Sequence, residues 1–245
     1  MSPTRLNKYI ASSGICSRRK ADELIESGAV CVNDKKITML GFIVRDKDKV
    51  YVNNKLIHPI KHLYYRFFKP PGYITTSDDE KGRKTIYDII PKELWGLKPV
   101  GRLDKDSTGL LILTNDGELI NELTHPSIKV PKIYLVSVNK EIPSDDLDKI
   151  ANGVEIEPDK IAYADIELLE RDKEHTFMKI TLYQGMNRQI RKMFEHYGYE
   201  VKTLKRIQHA TIQLEGLKKG ELKPIKTRQI KELTNFLNRI KTKND

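Results

Sequence analysis

The decisive stretch reads Val100-Gly101-Arg102-Leu103-Asp104-Lys105-Asp106-Ser107-Thr108-Gly109-Leu110-Leu111-Ile112-Leu113-Thr114-Asn115-Asp116-Gly117. It holds a short charged loop between two glycines, followed by an apolar run that is typical of a buried strand. Glycine allows backbone angles that are closed to other residues, so Arg102 and Asp104 can reach one concave site from a sharply bent loop. Most loops only connect elements, however, and by itself this one favours a surface turn with a solvated charge pair.

The composition indicates a soluble globular protein with a strongly charged surface. Of its 245 residues, 32% are charged and 38% are hydrophobic. No apolar run reaches the roughly 18 residues that a membrane-spanning helix needs, and the N-terminus lacks the apolar core of a secretory signal. Two cysteines, Cys16 and Cys31, are too few for a disulfide framework or a zinc site. We therefore expect a cytoplasmic protein that makes no contact with a membrane.

The net charge of +10 is distributed unevenly along the chain. Residues 1–62 carry 12 Lys and Arg against 6 Asp and Glu, whereas residues 63–245 carry 32 against 28. A basic N-terminal module is therefore attached to a nearly balanced body. A polyanion is its natural partner, and RNA or DNA is favoured over a membrane because no amphipathic anchor accompanies the charge.

The first 60 residues predict a small α/β unit. Apolar spacing predicts helices at 5–11 and 18–27, the second capped by Ser17 and ended by Gly28, and strands at 29–32 and 49–52. A positive face on the helix starts and the following turn suits RNA phosphates, and an ordinary solvated face is an equal alternative. The basic residues of this face are Arg5, Lys8, Arg18, Arg19, Lys20, Lys35 and Lys36.

This unit resembles the S4 RNA-binding domain. The resemblance is carried by Arg-Leu-x-Lys-x-Ile at 5–10, Gly-Ile-Cys-Ser-Arg-Arg-Lys-Ala-Asp at 14–22 and Gly-Ala-Val-x-Val-Asn at 28–33. It implies a two-helix face that docks on structured RNA. The sequence thus divides into an S4-like RNA-binding domain, 1–60, and a larger second domain, 61–245.

The second domain is predicted as α+β, with a mixed but mostly antiparallel sheet. Its strands are joined mainly by short turns and are predicted at 64–68, 110–113, 132–138, 162–169, 176–183 and within 203–214. Helices are predicted at 118–123, 145–151 and 188–197. A final helix from Thr227 carries an apolar stripe that indicates core packing, formed by Ile230, Leu233, Phe236, Leu237 and Ile240.

Several classes of site lack support in the sequence. There is no Gly-rich phosphate loop, the six histidines show no metal-ligand spacing, and neither cysteine has an evident histidine partner. No metal or cofactor is therefore expected. What remains is Asp104, a nucleophile or base that needs no cofactor, Tyr134 on a strand, and Arg188 and Arg191 at a helix start. Spacing alone does not show that these residues meet.

Four motifs in order resemble the pseudouridine synthase family. They are Gly-Arg-Leu-Asp-x-Asp-Ser-x-Gly-Leu at 101–110, Thr-Asn-Asp-Gly at 114–117, Lys-x-Tyr-x-Val at 132–136 and Gln-Gly-x-Asn-Arg-Gln-Ile-Arg-Lys-Met at 184–193. With the S4-like domain, they are most similar to the branch that modifies ribosomal RNA. The run 187–201 resembles the F type of that branch, which acts on 23S RNA, and 114–119 with 124–126 resembles the B type.

The resemblance implies a cofactor-free isomerisation of uridine to pseudouridine in 23S ribosomal RNA. Asp104 matches the family's catalytic aspartate, and Tyr134 matches the tyrosine that packs on the target uracil. Arg191 matches the basic residue that pairs with the aspartate. The base must leave the RNA stack before it can react. This extrusion costs roughly a few kcal/mol, and it costs less in a loop or bulge.

Further RNA contacts are expected at Arg102, near the extruded nucleotide, and at Asn187 and Arg188. The expected partner is a structured ribosomal RNA, and the chain is expected to act as a monomer. Small-subunit ribosomal RNA or transfer RNA is an alternative substrate. A non-catalytic RNA-binding factor for ribosome assembly is an alternative function, and a nucleoside hydrolase that uses Asp104 has little support without a second acid.

Overall fold

The structure is a computed structural model that describes residues 3–76 and 79–244, with side chains up to Thr242. The chain folds as two compact units, Met1–His62 and Leu63–Asp245. The predicted division after residue 60 lies two residues before this boundary. Both units combine helices with mostly antiparallel strands, so the α+β class predicted from the sequence is confirmed.

In the first unit, two helices and a four-stranded sheet share one core. Apolar side chains at helical spacing in each helix, such as Leu6, Ile10 and Ile25, pack with the strand residues Val30 and Val50. The sheet order is β3-β2-β5-β6, and β1 pairs with β4. The elements are β1 Thr4–Arg5, α1 Leu6–Ser12, α2 Arg18–Glu26, β2 Val30–Val32, β3 Lys35–Lys36, β4 Ile43–Val44, β5 Val50–Val52 and β6 Lys55–Ile57.

The second helix begins and ends where its sequence signals predict. The Ser17 hydroxyl accepts a hydrogen bond from the backbone N–H of Lys20 at 3.3 Å, which caps the helix start. Gly28, just beyond the end, has a φ of +74°, a left-handed conformation that favours glycine. Arg18 and Arg19 are therefore held on the exposed first turn of α2.

The second unit is built on one nine-stranded sheet. Its main order is β13-β14-β10-β15-β9-β7-β17, with β16 paired to β15 and β8 to β9. Only the β15–β9 pair of this sheet is parallel among the described strands. The strands are β7 Tyr64–Lys69, β8 Lys98–Pro99, β9 Thr108–Thr114, β10 Lys132–Val138, β13 Asp165–Arg171, β14 Thr176–Leu182, β15 Val201–His209, β16 Ile212–Gln213 and β17 Leu222–Pro224.

Helices and a small hairpin surround this sheet. A hydrophobic cluster that includes Leu147, Ile150 and Phe194 packs α4 and α5 against the β10 side, and a second cluster packs α3 and α6 near β9. Leu233 and Leu237 of the predicted apolar stripe are buried in the second cluster, so that stripe is core, as predicted. The elements are α3 Gly117–Thr124, α4 Ser144–Asn152, β11 Val154–Glu157, β12 Lys160–Ala162, α5 Gln189–His196 and α6 Thr227–Asn244, with 3₁₀ turns at Ile86–Asp88 and Lys92–Leu94.

The parallel contact between β9 and β15 depends on Gly109. Its φ is +110°, and a Cβ atom built there would lie 2.2 Å from the backbone oxygen of Arg206. Any side chain would therefore force the two strands apart. The second glycine of the decisive stretch is thus needed for strand pairing as well as for loop shape.

Candidate active site

The second unit contains a cleft of about 960 Å³ that is lined by many of its charged and polar side chains. Its lining comes from the charged loop, the chain after α3, strands β10 and β15, and the start of α5. Among the lining residues are Arg102, Asp104, Ser107, Thr124, His125, Lys132, Tyr134, Arg188, Gln189, Arg206 and His209. The loop that the sequence alone favoured as a surface turn is therefore one wall of a concave site.

The loop around Asp104 is fixed by hydrogen bonds to its backbone. The backbone N–H of Ser107 donates to the backbone oxygen of Asp104 at 3.1 Å, which closes a turn. The Thr75 hydroxyl donates to the Leu103 oxygen at 2.8 Å and accepts from the Leu103 N–H at 3.2 Å. Gly101 has a φ of +71°, so the chain enters the loop in a conformation that favours glycine. The Asp104 side chain is thus presented from a rigid backbone.

Lys69 is the principal anchor of this loop, and sequence reasoning missed it. Its ammonium group is fully buried and donates to three backbone oxygens of the loop. The distances are 3.0 Å to Asp104, 3.2 Å to Lys105 and 2.8 Å to Ser107. Burial lowers the pKa of Lys69 to about 8, and the carboxylates of Asp104 and Asp106 oppose that shift. The only available signal was a lysine at the end of an apolar strand, directly before Pro70.

Tyr134 lies on β10 with its side chain 8% exposed, and it lines the same cleft as Asp104. Its cross-strand neighbour on β15 is Arg206. Lys132, two residues earlier on β10, is directed to the same face because side chains alternate along a strand. The structure thus brings Asp104 and Tyr134 to one site, as the family resemblance implied.

The expected pairing of Asp104 with Arg191 is not formed. The Arg191 guanidinium donates through Nη1 to the Val201 oxygen at 2.7 Å, and its Nε is buried without a partner. No hydrogen bond or ion pair joins these two described residues, and Arg191 is absent from the cleft lining. The reason is that the Arg191 side chain extends from α5 to the first residue of β15 instead of into the cleft.

Arg206 is the buried arginine of the cleft, and the sequence did not indicate it. It is 2% exposed, its Nε donates to the Leu110 oxygen at 2.7 Å, and its Nη2 is buried without a partner. Lys132 of β10 pairs with His209 of β15, so a regular register would place Ile207 opposite Tyr134. A β-bulge shifts the register by one residue and places Arg206 opposite Tyr134 instead. A bulge of this kind cannot be located from alternation in the sequence.

Two further basic residues surround Arg206. His209 is fully buried, and its Nε2 donates to the Leu123 oxygen at 3.3 Å. Burial and the nearby Arg206 and Lys132 hold the pKa of His209 well below its usual value, so the imidazole is neutral. Burial and Arg206 also lower the pKa of Lys132 to about 8. The cleft floor is therefore basic.

Comparison with known proteins assigns this arrangement to a family. A family model for RNA pseudouridylate synthases matches residues 64–196, more than half of the chain. The chain belongs to the RNA pseudouridylate synthase family. An S4 domain model matches residues 4–50, so this synthase also carries the N-terminal domain that the sequence predicted.

Individual relatives resemble this synthase over nearly its whole length. It is 40% identical to the ribosomal large subunit pseudouridine synthase B of Bacillus subtilis, covering 94% of this chain and 95% of that protein. It is also 40% identical to the dual-specificity RNA pseudouridine synthase RluF of Escherichia coli, over 96% of this chain and 80% of that protein. A crystal structure of a pseudouridylate synthase aligns with a TM-score of 0.68 and 29% identity, over 94% of this chain and 99% of that one.

The predicted RNA contacts of this synthase lie on both units. In the second unit, Arg102 and Arg188 are exposed and line the cleft, whereas Asn187 is exposed but outside the lining. In the first unit Lys8 is half-buried, and Lys20 forms an exposed ion pair with Glu23 at 2.6 Å. The remaining predicted contacts are exposed, namely Arg5, Arg18, Arg19, Lys35 and Lys36. Their contacts with RNA stay predictions.

Among the described residues, one group of three potential metal ligands lies close together, formed by Glu170 at the end of β13 with Asp172 and His175 in the turn that follows. It lies outside the cleft, and His175 already contacts Asp172 at 2.9 Å. No described helix has the length and apolar character that a bilayer crossing requires.

Proposed function

We propose that this RNA pseudouridine synthase converts a specific uridine of ribosomal RNA, within the 23S molecule, to pseudouridine. One observation supports the proposal above others: Asp104 and Tyr134, distant in sequence, line one cleft with a basic floor. The names of the two relatives at 40% identity support ribosomal RNA as the substrate class. We place the activity in the cytoplasm, the compartment expected from the cysteine content.

The proposed reaction breaks the C1′–N1 bond of the target uridine, turns the uracil and joins C5 to C1′. The C5 proton is lost and N1 gains one, so no external reagent is consumed. Asp104 is the catalytic group, either by attack on C1′ or by removal of a ribose proton. The rigid backbone that Lys69 and Thr75 provide keeps its carboxylate in place, which lowers the cost of orientation in the transition state.

Tyr134 is proposed to stack on the extruded uracil. A buried tyrosine ring offers a flat apolar surface together with a polar hydroxyl. Because the uracil remains unattached while it turns, a surface that holds its plane without fixing its edge suits the reaction. Arg102 lies exposed at the cleft, which supports a contact with the RNA beside the extruded nucleotide.

The S4 domain is proposed to bind structured RNA through contacts that do not involve the reacting base. Binding energy from such remote contacts can offset the cost of extruding the nucleotide. The exposed arginines at the start of α2, Arg18 and Arg19, supply positive charge at a helix N-terminus, where the helix dipole also favours an anion.

Pseudouridine mapping tests the substrate assignment. Ribosomal and transfer RNA would be mapped in cells without the protein, then with the wild type or Asp104→Asn restored. We expect one or a few positions in 23S RNA to depend on the wild type and to stay unmodified with Asp104→Asn. Loss confined to transfer RNA or to small-subunit RNA would contradict the 23S assignment.

A further inference from the structure

A β-bulge brings two basic side chains of β15 to the same cleft. Residues 206 and 209 would point to opposite faces of a regular strand, because side chains alternate. The register slips between Ile133 and Tyr134, so Arg206 and His209 both line the cleft. Lys132, paired with His209 across the strands, completes the group. Bulges beside active sites commonly re-aim a side chain.

Two cations of this group have no negative partner in the part of the chain that the structure describes. The Arg206 Nη2 is buried and makes no hydrogen bond. The Lys132 ammonium makes one long contact, 3.3 Å to the Val130 oxygen. Neither forms an ion pair with any described residue of the chain. Burying cations without a counter-ion is costly, and an anion that enters the cleft would offset that cost.

His209 limits the charge of the group to those two cations. Its Nε2 donates to a carbonyl oxygen, so its proton lies on that nitrogen and Nδ1 is an acceptor. A neutral imidazole leaves the guanidinium and the ammonium as the only donors of charge-assisted hydrogen bonds within this group. A guanidinium with a free N–H and a lysine ammonium are the donors that bind phosphate in proteins.

We infer that Lys132 and Arg206 form an anion subsite for a phosphodiester of the nucleotide that enters the cleft. The inference rests on the proposed function and names the part of the RNA that this floor of the cleft binds. Tyr134 lies opposite Arg206 and two residues from Lys132, so a phosphate held there lies beside the ring proposed to stack on the base. The paired strands β10 and β15 thus carry both the residues that bind the RNA phosphate and the tyrosine that stacks on the base.

Uridine 3′,5′-bisphosphate tests the subsite in the full-length protein, with uridine as the uncharged control. Dissociation constants would be measured from the NMR shifts of the histidine ring signals. We expect the wild type to bind the bisphosphate at least about tenfold more tightly than uridine. Lys132→Gln should lower that preference several-fold, and Arg206→Gln should lower it further.

A matched control is Lys202→Gln on the same strand. Lys202 is exposed and pairs with Glu200 at 2.7 Å, outside the cleft, so the preference should not change. Because Arg206 also holds the Leu110 oxygen, Arg206→Gln can unfold the site, and Lys132→Gln then decides. An unchanged preference in Lys132→Gln would overturn the inference. Equal affinity for inorganic phosphate alone would do so too, since the subsite would then serve a free anion.

Turnover on ribosomal RNA separates this inference from the proposed function. If the wild type modifies ribosomal RNA, but its preference for the bisphosphate over uridine is unchanged in Lys132→Gln, only the subsite is refuted. A preference that depends on Lys132, in a protein that leaves all ribosomal uridines unchanged, refutes only the proposed substrate.

Discussion

The buried ammonium group of Lys69 lies 3.0 Å from the backbone oxygen of Asp104 and also contacts the oxygens of Lys105 and Ser107. One side chain at the end of β7 therefore holds three carbonyls of the loop that carries the aspartate. An ammonium has three N–H donors, and it is suited to a turn that points several oxygens inward. The position of Asp104 thus depends on a residue 35 positions earlier in the chain.

Replacing Lys69 with methionine should loosen the loop. The variant keeps the apolar stem but removes the donor from the buried Ser107 oxygen and from the part-buried oxygens of Asp104 and Lys105. A buried oxygen left without a donor costs about 1–3 kcal/mol, and loss of the buried charge offsets part of that cost. We expect a net loss of about 2 kcal/mol in the free energy of unfolding, with a fall in turnover larger than the fall in RNA affinity. Urea denaturation and single-turnover kinetics would measure both. Full activity in a destabilised variant would show that the loop is positioned without Lys69.

The same lysine gives a pH signature. Its pKa in the folded protein is about 8, below the ordinary value of 10.5, so between these values the unfolded chain binds more protons than the folded one. The contribution of Lys69 to stability therefore rises as the pH rises through this range. The stability difference between wild type and Lys69→Met should grow from pH 7.5 to pH 10. A difference that stays constant over this range contradicts the assignment.

Gly109→Ala should be strongly destabilising. The added methyl group would lie 2.2 Å from a backbone oxygen of β15, and φ at this position is +110°. We expect a loss of more than about 3 kcal/mol, or failure to fold, because both a clash and backbone strain arise. Gly117→Ala, at the start of α3 with no atom within 4 Å of its built Cβ, is the control and should be nearly neutral. Equal melting temperatures for the two variants would refute this account of Gly109.

Arg191→Lys tests whether this arginine serves Asp104 as well as Val201. The Arg191 guanidinium donates through Nη1 to the Val201 oxygen and lies outside the cleft lining, so its observed contacts give it a structural role. We therefore expect turnover and RNA affinity to stay near the wild-type values, with a loss of about 1 kcal/mol in the free energy of unfolding from the weakened Val201 contact. Arg171→Lys is the control, because its Nη1 also binds a backbone oxygen, Ile142 at 3.0 Å, away from the cleft. A loss of turnover that occurs in Arg191→Lys and not in Arg171→Lys would show that Arg191 acts on Asp104 as well.

The double variant Arg18→Ala with Arg19→Ala tests the RNA face of the S4 domain. If both arginines contact phosphates, the slope of log affinity against log salt should fall by about 1.5, and 23S RNA should bind more weakly. Lys47→Ala with Lys55→Ala removes two exposed lysines of the same unit and should leave the slope unchanged. A slope that both double variants reduce equally would indicate diffuse charge instead of a defined face.

Local patterns in the sequence predicted most of the elements and part of the site. The loop before β9, the capped helix α2 and the strand that carries Tyr134 follow from short-range signals. The family motifs at 101–110 and 132–136 also predicted that Asp104 and Tyr134 share a site. Lys69 was missed because its role depends on where three distant carbonyls lie. Arg206 was missed because a bulge changes which residues of β15 face the cleft. The pairing of Asp104 with Arg191 was expected from the resemblance, and the structure directs Arg191 to Val201.

Asp104→Asn provides the most direct test of the central claim. The substitution keeps the side-chain shape and leaves the Lys69 contact intact, because that contact is to the backbone oxygen. Purified wild type and variant would be compared for pseudouridine formed in unmodified 23S RNA and for RNA affinity. We expect the variant to form pseudouridine at least about 1,000-fold more slowly with unchanged RNA affinity. Pseudouridine formation by Asp104→Asn at a rate near that of the wild type would contradict it.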